Sequence, residues 1–199
     1  MARCYSACVR NRYPPCTLPS VWLISDERID ERLESALSRL PRGSGFIFRH
    51  YHLSASERRA RFRSLRSALR KGRHLSVLAD TPAAARRWGA AGAYGRARKL
   101  SAGPALLRLV TAHSLREIGE ANRIRADAVL LSPVHPTRTH PGAPSLGPVR
   151  YRLLAARSRV PVIALGGMNA SRARALGARH WAAIESLAQP RKRPFPIHS

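Results

Sequence analysis

Two stretches in the last third of the chain carry residue types suited to holding and transforming an anion. In the first, an apolar run from Asp127 to Leu131 stops at Ser132-Pro-Val-His-Pro-Thr-Arg-Thr-His140, a loop of hydroxyls and imidazoles. In the second, Val160-Pro-Val-Ile-Ala-Leu165 stops at Gly166-Gly167. Glycine lets backbone N–H groups approach phosphate oxygens with no Cβ in the way. Threonine hydroxyls add neutral donors, and a histidine in such a loop can exchange protons near neutral pH. Earlier in the chain, Asp26, Arg49, Asp80, Tyr94 and Thr111 each close an apolar run, and Ile184-Glu185 closes the last one. Asp80 has two readings. It is a carboxylate suited to Mg²⁺, or it belongs to a helix start in which Asp80 or Thr81 is the N-cap and Pro82 occupies the first turn.

The elements that must position these residues alternate. Short apolar runs at Val21–Ile24, Gly45–Phe48, Leu75–Ala79, around Gly92, Leu107–Val110, Asp127–Leu131, Val160–Leu165 and Trp181–Ile184 predict eight strands. Helical spacing follows several of them: Ile29, Leu33, Leu37 and Leu40, then Phe62, Leu65 and Leu69 on a stripe whose other face is nearly all arginine. Ala83 to Ala91 predicts a small helix, Ser114-Leu-Arg-Glu117 is a capping-box pattern, and Asn169 to Gly177 brackets another helix. Strand–helix alternation requires a parallel sheet. An open dinucleotide-binding sheet would want a GxGxxG turn near the amino end, and none is present. The expectation is one lean (β/α)8 TIM-type barrel of the phosphate-binding kind over residues 20–188. A basic, cysteine-containing arm over 1–19 and a Pro/basic tail over 189–199 flank it. Only four residues separate Glu185 from Pro190, so a full last helix is not expected. The outer faces of strands eight and one would then need cover from the arm or from a second subunit, which suggests a homodimer.

Composition limits the function classes. The 199 residues hold 36 Lys+Arg against 11 Asp+Glu, a formal charge of +25. Such charge suits a phosphorylated metabolite or nucleic acid. Aromatics are only 6% and arginines are spread along the chain, whereas a single-strand binder interleaves stacking rings with its cations. A nucleic-acid partner is therefore not expected, and a nucleic-acid-binding role stays only as the rival reading. Cys4, Cys8 and Cys16 lack a second metal-ligand pair at finger-like spacing. No run approaches the ~18 apolar residues of a membrane span, and the amino end has no signal-like apolar region. A cytoplasmic protein is expected.

These motifs resemble thiamine phosphate synthase and the related thiazole tautomerase. Val110-Thr-Ala-His-Ser114 is similar to that family's strand-five Gly-x-Ser-x-His-Ser turn. Leu130 to Gly147 resembles its strand-six loop, Val162-Ile-Ala-Leu-Gly-Gly-Met-Asn169 its strand-seven turn, Phe46-Ile-Phe-Arg49 its second strand, and Leu23-Ile-Ser-Asp26 its opening Leu-Ile-Thr-Asp. The resemblance implies joining an aminopyrimidine methyl diphosphate to a thiazole phosphate, with release of pyrophosphate. It assigns Arg49 to the diphosphate or pyrimidine, Asp80 to Mg²⁺ and Thr111 to pyrophosphate. Thr137, Thr139, Gly166, Gly167 and the Ile184-Glu185 turn fall to the thiazole phosphate. His140 takes the place of a strand-six lysine.

The departures from that pattern are specific. The acidic strand-four loop, which would give magnesium a second carboxylate, is Tyr94-Gly-Arg-Ala-Arg-Lys99 here. Ile47 and Tyr51 stand where the family has Gln and Lys, Ala79 where it has Asn, and Glu185 where it has a phosphate-binding Ser. The tautomerase's histidine position is Pro133, with His135 two residues away. A diverged or catalytically silent phosphometabolite-binding barrel is the alternative that these changes leave open, and Arg96, Arg98 and Lys99 are candidates to replace metal by direct positive charge.

Overall fold

The computed structural model describes residues 18–137 and 144–189. The arm is thus outside the described residues except for Leu18 and Pro19, as is the tail beyond Gln189. Thr139, His140 and the three cysteines also fall outside them.

Eight parallel strands close into a barrel in sequence order. They are β1 (Val21–Ile24), β2 (Gly45–Phe48), β3 (Leu75–Leu78), β4 (Gly92–Gly95), β5 (Leu107–Ala112), β6 (Ala128–Leu131), β7 (Val162–Ala164) and β8 (His180–Ala183). Closure is made by β8 on β1, with Val21 opposite Trp181 and Leu23 opposite Ala183. The weak fourth run is a true strand, paired on both sides. Alternation within each strand sends one set of side chains inward and the next outward. Trp22, Ile24, Ile47, Val77, Leu109, Leu130 and Ile163 fill the barrel interior, so it is a packed core and not a channel. Trp22 shows how tight the packing is: a Cβ on Gly45 would fall inside its indole, whose N–H donates to the Pro19 carbonyl at 2.7 Å.

The helices are short. They are α1 (Leu33–Arg39), α2 (Ala55–Ser64), α3 (Arg66–Lys71), α4 (Pro82–Trp88), α5 (Ala97–Leu100), α6 (Leu115–Arg123), α7 (Gly147–Ala155), α8 (Ala170–Leu176) and α9 (Glu185–Ala188), with a 3-10 turn over Glu27–Arg32. The predicted apolar stripe is buried through Phe62, Leu65 and Leu69, the chain passing from α2 to α3 at Leu65. Helix α4 ends earlier than the alanine run suggests, because Gly89 adopts φ +74° and takes the chain out of the helix. Asn169 and Gly177 cap α8 as expected.

At α6, Ser114 accepts from the Glu117 N–H, but Glu117 answers the His113 N–H at 2.6 Å instead of closing the box on Ser114. A reciprocal box does form at Ser54–Glu57. No described helix is long and apolar enough to cross a membrane.

The abbreviated last helix is as expected, with α9 only four residues long. The exposed apolar face inferred from it is not found. Leu23 and Ala183 are buried, and so is Trp181, packed in one cluster with Ile29, Leu33, Leu37 and Ala188. Arg39 ties α1 to α9 by donating to the Ala188 carbonyl at 3.1 Å. The 3-10 turn, α1 and α9 therefore cover the seam, which removes the physical ground on which a homodimer was expected.

A buried polar chain joins the ends of β1 and β2. The Arg49 N–H donates to Ser25 Oγ at 2.8 Å, Ser25 Oγ donates to His50 Nδ1 at 2.8 Å, and His50 Nε2 donates to Asp30 at 2.8 Å. Arg61 donates to the same carboxylate at 2.7 Å. Ser25 is wholly buried, so this chain is a clamp and not a nucleophile. It holds His50 at φ +39°, a conformation a non-glycine residue keeps only when its surroundings demand it.

Burial holds the His50 imidazole below its ordinary value of 6.5, against the opposing pull of Asp30. The unfolded chain therefore takes up this proton first as pH falls. His50's contribution to stability is complete above about pH 6.5 and is lost below it, at no more than ~1.4 kcal/mol per pH unit. Asp30 acts lower: burial opposes its charge, but Arg61 and His50 bring its carboxyl below 3.8, and its contribution is lost only as pH falls through that depressed value. Urea midpoints measured from pH 8 to pH 5.5 are expected to decline, and His50→Gln to flatten the decline. An undiminished slope in the variant would show that the clamp does not titrate.

Candidate functional site

The carboxyl ends of the strands open onto two joined lobes. One, of about 410 Å³, lies between the loops after β6, β7 and β8, and includes Ser132, Thr137, Gly166, Gly167, Ile184 and Glu185 in its walls. The other, of about 860 Å³, lies over β4 and α5 and is bounded by Tyr51, Gly95, Arg96, Arg98 and Lys99. Arg49, Tyr94 and Thr111 belong to both walls and form the partition. Two ligands could thus meet at a shared boundary.

The smaller lobe is shaped by backbone. Val134 N–H donates to the Leu165 carbonyl at 2.8 Å and His135 N–H to the Gly166 carbonyl at 3.1 Å, which locks the β6 loop onto the β7 turn. Both glycines have positive φ, +97° and +58°. A Cβ at Gly166 would lie 2.6 Å from Pro133 Cα, and one at Gly167 would lie 2.6 Å from the Pro136 carbonyl. The pair is therefore needed for loop-to-loop packing as well as for any approach by an anion. Arg172, on α8, donates to the Gly167 carbonyl and brings a cation to this wall. Across the lobe, His113 Nδ1 lies 2.7 Å from the Ser132 carbonyl, an acceptor, so Nδ1 carries the proton and Nε2 is the basic nitrogen of the neutral ring.

Of the residues singled out from sequence, Arg49 and Thr111 stand in the partition, and Thr137, Gly166, Gly167, Ile184 and Glu185 in the smaller lobe. Asp80 lines neither lobe. His113, Ser132, Tyr94 and Arg172 line the site without having been assigned roles. His113 had a visible signal in the Thr-Ala-His-Ser turn. Arg172 had none, being one arginine among many on its helix.

Asp80 decides whether magnesium fits. Thr81 caps α4 by accepting from the Ala84 N–H, and Asp80 is not the N-cap. Its Oδ1 accepts from the Thr81 N–H at 2.7 Å and pairs with Lys99 Nζ at 3.0 Å, while Oδ2 meets Arg58 at 3.2 Å. Although burial opposes the charge, these bonds keep the carboxyl below its usual range. Mg²⁺ asks for carboxylate oxygens that are not already neutralised. The donor set at Asp80 does not fit the ion.

Glu185 brings negative charge to the phosphate-like lobe, where its carboxylate pairs with Arg28 at 2.9 Å. Arg28 in turn donates to Asp26 at 2.6 Å.

Comparisons with known proteins accord with this geometry. Residues 21–187 match the thiamine monophosphate synthase family. Thiamine phosphate pyrophosphorylase from Pyrococcus furiosus superposes with a TM-score of 0.72 at 24% identity, over 87% of this chain and 89% of that one. A thiamine phosphate pyrophosphorylase from Bacteroides thetaiotaomicron does so with 0.58 at 16% identity, over 90% and 88%. The YdjI aldolase from Escherichia coli K12 gives 0.56 at 10%, over 84% and 76%. No curated protein matches the chain in sequence. At these identities the solved structures establish the barrel alone.

The charge of Glu185 should weaken any phosphate in the smaller lobe. Glu185→Ser is expected to tighten binding of a small phosphate monoester about three- to tenfold at low ionic strength, and by less at high salt, where exposed charges are screened. Calorimetric titration of wild type and variant checks this. Equal affinities at low salt would place the anion elsewhere.

Proposed function

Because this chain belongs to the thiamine monophosphate synthase family, we propose that it joins an aminopyrimidine methyl diphosphate to a thiazole phosphate and releases pyrophosphate, acting in the cytoplasm. The observation that carries the proposal is the two-lobed mouth with a shared wall of Arg49, Tyr94 and Thr111. A reaction between two phosphorylated heterocycles needs two anion sites of different character meeting at the reacting atoms. The smaller lobe offers hydroxyl and backbone groups with Arg172 for a monophosphate, and the larger has the denser set of cations for a diphosphate.

The chemistry assigned to this mouth is substitution at the pyrimidine methylene. Its carbon–oxygen bond breaks, and the diphosphate leaves with the electron pair. The thiazole nitrogen then supplies the pair for the new carbon–nitrogen bond, becoming cationic. Protein groups aid this by fixing the two partners and by stabilising the charge that develops on the leaving group. Arg49 and Thr111, in the partition, are placed to touch the diphosphate side. Thr137 and the Gly166–Gly167 backbone are assigned to the thiazole phosphate, with Arg172 balancing its charge. His140, matched to the family's strand-six lysine, and Thr139 keep the roles the resemblance implies.

A second reading rests on Glu185. An acid in the phosphate turn favours a ligand with less negative charge than a phosphate dianion, and so a diverged or silent binding barrel.

Incubation with both precursors and detection of thiamine phosphate separates the two readings. Product is expected, and its absence with either heterocyclic substrate omitted provides the control. Thr137→Val keeps the side chain's shape but removes one hydroxyl. It should weaken the thiazole phosphate by about tenfold or more, since a hydrogen bond to a charged group contributes ~1.5 to 3 kcal/mol. Lack of product from the wild-type protein, alongside measurable binding of a phosphorylated heterocycle, would favour the silent barrel.

A further inference from the structure

The larger lobe has a charge pattern of its own. Arg49, Arg96, Arg98 and Lys99 line it, and among the described residues no carboxylate does. Arg49 Nε is buried and has no hydrogen-bond partner among the described residues, and its NH2 reaches Asp26 only at 3.6 Å. Lys99 is paired with Asp80 and Arg49 only loosely with Asp26, while Arg96 and Arg98 make no ion pair among the described residues, so the lobe carries surplus positive charge that an entering anion would neutralise. Asp80, the acid beside Lys99, also pairs with Arg58.

We infer that this lobe binds a diphosphate directly through arginine and lysine, with Lys99 standing between Asp80 and the anion in place of a divalent cation. That the diphosphate is the substrate's leaving group rests on the proposed synthase reaction. The existence of the site rests on the lobe itself. An ammonium has three N–H donors, so Lys99 can keep its bond to Asp80 and still offer two to phosphate oxygens. Arginine supplies the paired donors that match a phosphate edge. Arg96 follows β4 directly, while Arg98 and Lys99 belong to α5, packed on that strand's end. Together they line the larger lobe beside the partition, on the side where the leaving diphosphate would lie. When the substrate's carbon–oxygen bond breaks, the electron pair and the new negative charge pass to the diphosphate, and fixed cations stabilise both without any metal.

The probe is inorganic diphosphate, titrated calorimetrically into the whole protein in EDTA at low and at moderate salt. Binding is expected in EDTA, weaker at the higher salt, with no gain on adding Mg²⁺, which itself complexes the anion. Lys99→Gln and Arg96→Gln should each weaken it about tenfold, the scale of one charge-assisted contact. Arg70→Gln, on α3 and outside the lobe's lining, should leave it unchanged. Asp80→Asn keeps an acceptor for the Thr81 N–H while releasing Lys99, and should tighten binding.

Binding that appears only with Mg²⁺ and is abolished by Asp80→Asn would overturn the inference. So would a complete absence of binding, or equal losses in the Lys99 and Arg70 variants, which would reduce the effect to bulk charge. The outcomes separate from those of the synthase assay. Diphosphate bound in EDTA without product formation removes the reaction and leaves the site, whereas product formation with strictly Mg²⁺-dependent binding does the reverse.

Discussion

Each acid described at the mouth of this barrel lies against a cation, and the character of the site follows from that. Asp26 holds Arg28 and Arg49, Asp80 holds Arg58 and Lys99, and Glu185 holds Arg28. With 36 Lys+Arg and only 11 Asp+Glu in the chain, a carboxylate that closes a strand meets a guanidinium or ammonium more readily than it stays open for a metal. Acids in such a setting anchor cations. They hold arginine and lysine at fixed places around the mouth.

The barrel sets the distances over which this happens. Its interior is filled by Trp22, Ile24, Ile47 and their neighbours, so chemistry is confined to the loops at the strand ends. Strands of three to six residues and helices as short as four leave little material for those loops to rest on. They rest on one another. The Gly166–Gly167 turn packs against Pro133 and Pro136 so closely that a side chain at either position would collide with backbone. The buried Ser25–His50–Asp30 chain does the same for the β2 end by holding the backbone N–H of Arg49. Rigidity at the mouth thus comes from backbone contact and buried hydrogen bonds, which suits the proposed holding of two anions in register.

The lean construction also explains how the barrel closes without a full last helix. Ala188 ends the four-residue α9, yet it packs with Leu33 and Leu37 of α1, and its carbonyl accepts from Arg39. The first helix covers part of the seam that the last one leaves, and Trp181 and Leu23 stay out of water.

The strands and most helix ends were legible from local pattern. A buried parallel strand shows as a short apolar run, and Asn169 and Gly177 mark helix termini through chemistry confined to a few residues. The glycine pair and the hydroxyl loop also announced the smaller lobe, because a tight turn and a donor-rich loop are local properties. The state of Asp80 was not legible in this way. Both readings of it, metal ligand and cap, were open from sequence, and neither contained its ion pairs with Arg58 and Lys99, which lie 22 residues before it and 19 after it. Arg58 belongs to a helix face so rich in arginine that it reads as solvated, yet it is 8% exposed and donates to the Ala79 carbonyl and to Asp80. The Ser25–His50–Asp30 chain was hidden for the same reason. Periodicity records which side of an element faces the core; barrel closure decides which buried polar groups then face one another, and the desolvation of those groups makes the pairing obligatory.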